Sequence, residues 1–136
     1  MKNVMKVKSQ TRSLSYYEQN VLLPILMNGL EMKKDKINAV TSNQIVYGLR
    51  KQGLKVNSRS VKRIINYIRI NDLIVGLMGC AYGYYIISSE QEFIDYEYNL
   101  LVREVALQKV RLSIQRQRRS MFSEHSQISN RQTQLF

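Results

Sequence analysis

The clearest alternation of apolar and polar positions lies in residues 57–69. At about 100° per residue, Val61, Ile64, Ile65 and Ile68 fall on one helical face. Arg59, Arg63 and Asn66 fall on the opposite face, with Lys62 and Arg69 at its flanks. Asn57 or Ser58 stands where a side chain accepts a free backbone N–H and starts the helix. Upstream, Val21, Leu22, Ile25, Leu26 and Leu30 predict a helix over 16–32, in which Pro24 either kinks the run or marks its first turn. Residues 36–40 predict a short strand. Thr41-Ser42-Asn43-Gln44 has the form of a capping box. The helix it opens, over 42–52, offers Ile45, Val46 and Leu49 to a core and stops at Gly53. Downstream, Leu73-Ile74-Val75 and residues 82–87 read as two strands around a Gly-containing turn at 76–81. Ser88 or Ser89 can cap a last helix, whose first turn carries Glu90 and Glu92, the sign its dipole favours.

That last helix has its own period. Ile94, Tyr98, Leu101, Val105 and Leu112 recur at spacings of four and three, with Gln108 in the missing slot, a coiled-coil seam of about three heptads. The expectation is dimerisation through these residues. Packing back on the same chain stays open, because Tyr96, Leu100, Leu107 and Val110 broaden the apolar face. Beyond Gln115 the chain turns polar, which predicts a mobile tail.

Charge divides the chain further. Residues 36–71 hold Lys36, Arg50, Lys51, Lys55, Arg59, Lys62, Arg63 and Arg69 and no acid, and 73–89 hold no charge. Residues 90–104 are acidic, with only Arg103 against them, and a second basic block follows at Lys109, Arg111, Arg116, Arg118 and Arg119. Segregation of this kind points to separate tasks along the chain. The 136 residues carry a formal charge of +11, with 44% apolar content, enough for one compact core. A pI near 10.0 favours a polyanionic partner. No apolar run is long enough for a membrane span, and none follows the basic start as in a signal peptide. Cys80 is the only cysteine, so no intrachain disulfide forms and a reducing, cytoplasmic compartment is expected.

Two short helices joined by a Gly-containing turn, the second one basic, form a helix-turn-helix pattern, and a hairpin follows. On Asn57-Ser58-Arg59, Lys62-Arg63, Ile68-Arg69 and Gly83-Tyr84-Tyr85-Ile86, residues 15–89 resemble the winged-helix family, particularly small bacterial and phage DNA-binding domains. The resemblance implies that this helix enters the major groove and that Ser58, Arg59, Lys62, Arg63 and Asn66 meet base edges. It departs from the family at the hairpin tip, which has no Lys or Arg. Tyr82 can donate one hydrogen bond there, or the tip can pack against protein.

The expected fold class is mainly α with a small β-hairpin, a winged helix followed by a long C-terminal helix. The expected parts are a flexible basic arm (1–14), the winged domain (15–89), the long helix (90–119) and a flexible polar tail (120–136). Lys51, Lys55 and Arg69 are the expected phosphate contacts, and the expected partners are double-stranded DNA and a second copy of the chain. A protein-interaction module and a charge-driven RNA binder are the competing readings. No enzyme is expected, and no cofactor, metal, small-molecule substrate or membrane. His125 has no ligand partner nearby in sequence, Cys80 lacks a base, Gly76 and Gly79 lack the residues of a phosphate loop, and Tyr84 and Tyr85 alternate across a strand, which makes a poor base-stacking platform.

Overall fold

The structure, a computed structural model, describes residues 13–123. The expected tail beyond 123, His125 and most of the expected arm lie outside them. Among the described residues the chain is mainly helical, with one two-stranded antiparallel hairpin and a long C-terminal helix. A π-helical segment, Glu18–Leu22, runs into α1 (Leu23–Leu30). A 3-10 turn at Lys36–Asn38 precedes α2 (Ser42–Lys51) and α3 (Ser58–Ile70). Strands β1 (Leu77–Cys80) and β2 (Gly83–Ile86) follow, then α4 (Glu90–Met121). Contacts divide the chain into two compact units, with the boundary between Ile94 and Asp95.

Local chemistry sets the helix starts. Thr41 accepts from Gln44 N while the Gln44 side chain accepts from Thr41 N, and Asn57 and Ser60 make the same exchange. Ser89 with Glu92 and Ser15 with Glu18 repeat it. Four helical stretches thus open on a reciprocal pair that occupies donors the helix itself leaves unbonded. Leu14, just before Ser15, is buried in the core. Leu14, placed at the end of the expected arm, thus belongs to the core.

Pro24 decides the phase of the first helix. It has no N–H, and its ring would strike a carbonyl one turn back in an uninterrupted helix. The chain widens instead: Leu23 N donates to the Glu18 carbonyl, five residues back, and Pro24 falls in the first turn of α1. One extra residue per turn rotates the buried face. Leu23 enters the core and Ile25, expected there, is 36% exposed, while Val21 is half-buried.

The core of this unit gathers Leu22, Leu26, Leu30, Val46, Leu49, Val56, Ile74 and Leu77 around α3. Val61, Ile64, Ile65 and Ile68 are all at most 1% exposed, so the apolar stripe read from the sequence is the face on which α3 is seated.

The strands differ from expectation in two places. Residues 36–40 form no strand: three of them make the 3-10 turn, and only Val40 pairs, as an isolated bridge with Tyr84. Leu73-Ile74-Val75 is turn, not strand. Asp72 (φ 56°) and Gly76 (φ 85°) reverse the chain on either side of it, Leu73 N bonds back to the Ile68 carbonyl, and Ile74 plugs the core. The first strand starts only at Leu77, and the register Leu77–Ile86, Cys80–Gly83 leaves Ala81 and Tyr82 as the tip. The Tyr84 ring lies across Gly79, where a Cβ would come 2.9 Å from it.

No helix among the described residues is long and apolar enough to cross a membrane. Nothing in α4 is buried, and its helix runs two residues beyond the expected end at 119.

Candidate nucleic-acid interface

With four isoleucine and valine side chains held in the core, the opposite face of α3 is fixed toward solvent. Arg59, Lys62 and Asn66 lie on it, exposed, and Ser58 is half-buried at its first turn. Asn57, Ser58, Arg59 and Lys62 line a shallow depression of about 490 Å³ at that end. Ile70 continues the same face and is 67% exposed. The sequence reading did not single it out, although the period that placed Asn66 also places it.

Arg63 departs from this group. Its guanidinium turns toward the first helical segment, where Nη2 is 2.6 Å from Glu18 Oε2 and Nε donates to Oε1 at 3.4 Å. Glu18 is 6% exposed. The same carboxylate accepts from Ser15 N, so one acid both closes a helix start and anchors α3. The hydrogen bond from Arg63 holds the Glu18 carboxyl below the usual glutamate range, against the opposing effect of burial, and the Arg63 guanidinium is shifted up in turn. As it stands, Arg63 is occupied inside the fold, and reaching a base would require breaking this pair.

The turn between α2 and α3 is clamped. The Tyr17 hydroxyl donates to the Lys55 carbonyl at 2.9 Å and accepts from Lys55 N at 3.1 Å. Arg50 Nε donates to the Val56 carbonyl at 2.9 Å. Gly53, at φ 84°, gives the bend a conformation that a side chain would strain. Tyr17, Arg50, Lys55, Asn57, Glu18 and Arg63 border an open cleft of about 1000 Å³. Tyr17 and Arg50 hold this turn in place, a role the sequence reading missed because their partners are backbone atoms brought near only by folding. Tyr17→Phe should cost about 1 kcal/mol, the net worth of such bonds, and should speed hydrogen exchange at Lys55 N. Unchanged urea stability and unchanged Lys55 exchange would contradict the clamp.

The expected phosphate contacts are spread around this face. Lys51 is exposed on the last turn of α2, its ammonium 5.4 Å from the Tyr47 ring centre. Lys55 is exposed in the turn, and Arg69 is half-buried near the end of α3. At the hairpin tip, Tyr82 is 62% exposed. Folding supplies the charge the tip lacks in sequence: Lys36 Nζ sits 4.3 Å over the Tyr82 ring, a cation–π contact. Lys36 lies 46 residues before Tyr82 in the chain, so no local motif could have announced the pair. Cys80 is exposed near the tip and accepts from Tyr82 N.

The expected dimer residues Ile94, Tyr98, Leu101, Val105 and Leu112 are 36–62% exposed along α4. Among the described residues no group of His, Cys, Asp or Glu side chains gathers as a metal site. Compared with protein-family models, curated proteins and solved structures, the chain matches none.

Proposed function

We propose that this is a double-stranded-DNA-binding protein of winged-helix type, cytoplasmic and homodimeric through α4, acting as a transcriptional regulator or a replication or recombination accessory factor of phage or bacterial kind. The observation that carries the reading is the exposed face of α3. A helix seated on a fully buried stripe presents Arg59, Lys62 and Asn66 together, in a stretch of chain with eight bases and no acid. Arg pairs bidentately with guanine O6 and N7, and Asn with adenine N6 and N7. Ser58 and Lys62 flank them, with Lys51, Lys55, Arg69 and the Lys36–Tyr82 pair as phosphate contacts. Phosphate contacts position the protein and base contacts specify the site.

Selection from a random duplex pool followed by Arg59→Ala tests this. The variant is expected to bind the selected site about 5- to 150-fold more weakly, the loss of about 1–3 kcal/mol of base discrimination, with a smaller loss on random duplex. Equal losses on both would make Arg59 a phosphate contact. A chain that selects no sequence, or binds duplex without dependence on salt, would remove the reading.

A further inference from the structure

We infer that α4 self-associates as an antiparallel coiled coil, with Ile94 of one helix packed at the level of the partner's Leu112, Tyr98 at the level of Gln108, and Leu101 at the level of Val105. The inference rests on the homodimer reading above and adds the orientation and the register. Each pairing occurs twice about a two-fold axis beside Arg103, which lies on the outer side of the helix.

Charge selects the direction. The first half of α4 carries Glu90, Glu92, Asp95, Glu97 and Glu104 against Arg103, and the second half carries Lys109, Arg111, Arg116, Arg118 and Arg119. Residues flanking a coiled-coil seam meet their counterparts on the other strand and set its orientation. Reversing one strand brings Asp95 to the partner's Lys109 and Glu97 to the partner's Arg111, both twice over. One like-charge meeting remains, Glu104 with its own copy. A parallel pair gains Glu104 with Lys109 but sets Glu90 against Asp95 and Arg111 against Arg116.

The seam itself agrees. Gln108 interrupts the apolar series, and a parallel pair would face it with its own copy and stack Tyr98 on Tyr98. The antiparallel register puts the Gln108 amide beside the Tyr98 hydroxyl, a donor and acceptor that satisfy each other. All five apolar seam residues are exposed in the single chain, between 36% and 62%. A second apolar stripe, Phe93, Tyr96, Leu100, Leu107, Val110 and Ile114, runs along the far side of the helix, so these residues do not widen the seam as the sequence reading allowed. It is the poorer seam, because Arg103 falls among its inner positions and the Phe93 ring already lies against Gly76.

The consequence is geometric. The axis beside Arg103 stands 13 residues from Glu90, so the two Glu90 positions are about 40 Å apart at 1.5 Å per residue. In a parallel pair the two Glu90 positions would instead lie side by side, at the same level of the helix.

Cysteine pairing in the full-length chain, with Cys80→Ser as background, tests both direction and register. Ile94→Cys and Leu112→Cys are prepared singly and as a mixture, and sedimentation gives the mass. The expected result is a dimer in which the mixture cross-links and neither single variant does, because like residues are about 27 Å apart axially in this arrangement. Cross-linking of each single variant, with none added on mixing, would establish a parallel pair and overturn the inference while keeping the dimer. A dimer in which nothing cross-links would overturn the seam. A monomer in sedimentation would remove the homodimer reading itself, leaving DNA binding to be judged by the duplex selection.

Discussion

Arg63→Ala is expected to lower the unfolding free energy by about 2–3 kcal/mol, measured by urea denaturation near neutral pH. Removing one partner of a buried ion pair strands the other charge, at about 3–5 kcal/mol when both are fully buried. Here the Glu18 side chain is 8% exposed but that of Arg63 is 27% exposed, so water offsets part of the loss. Glu18→Gln with Arg63→Met in one chain should recover much of it, because no charge is then left without a counterion. The pair also predicts the acid limb. The Glu18 pKa is lowered in the folded state, so its contribution is complete above the unfolded glutamate value, about 4.3. It is lost as pH falls below that and through the lowered folded value. The double variant should therefore lose less stability between neutral and strongly acidic pH than the parent. An acid limb unchanged in the double variant would show that other carboxylates set it.

Arg63 lies one helical turn from Arg59, and helical period alone puts the two on the same face. The structure separates them. Arg59→Ala should alter affinity without altering stability, whereas Arg63→Ala should unseat α3 and weaken all duplexes through the fraction folded. Comparing the two at a temperature where both remain folded separates recognition from stability. A loss of sequence preference in folded Arg63→Ala would return Arg63 to the reading face.

Gly83→Ala is the second large effect. Gly83 has φ 116°, a region side chains rarely adopt, and a Cβ there would run into the backbone of Val40 and Thr41, 2.8 Å from Thr41 N. The approach is this close because Tyr84 N donates to the Val40 carbonyl at 2.7 Å and Val40 N returns the bond at 3.0 Å. Positive-φ strain of about 1–3 kcal/mol and the loss of those two bonds, about 1 kcal/mol each, should total roughly 3–5 kcal/mol. Hydrogen exchange should show where it falls: Val40 and Tyr84 amides faster by far more than those of Ile64 and Ile65 in α3. Since Lys36 and Tyr82 sit on the two segments joined there, the variant should also loosen the hairpin tip. Exchange that accelerates uniformly across the unit would mean the hairpin and α3 open together, contrary to this expectation.

Much of the framework was legible residue by residue. The Thr41–Gln44 and Asn57 helix starts, the stop at Gly53 and the buried stripe of α3 follow from short-range rules. Capping bonds and helical periodicity involve residues three and four apart, so the chain specifies them with little help from the rest of the fold. The helical position of the seam residues in α4 is of the same kind. Where expectation failed, the cause was a neighbour distant in sequence or a backbone adjustment. Leu73-Ile74-Val75 is apolar, with β-branched Ile74 and Val75, as a strand would be, but Ile74 is claimed by the core and Asp72 and Gly76 turn the chain around it. Ile25 lost its core position to Leu23 because Pro24 forced a wider turn ahead of it.

The chain by itself determined where helices begin, which face of α3 is apolar, and that bases gather in 36–71 while acids gather in 90–104. Those properties are set by nearest neighbours and by composition, and they need no packing. Only the tertiary structure decided which bases remain on offer. It turned Arg63 inward to Glu18, spent Arg50 on the Val56 carbonyl, and carried Lys36 across to Tyr82. Each depends on bringing together groups that lie six to 46 residues apart in the chain, and such meetings are fixed by how the core closes rather than by any local run of residues.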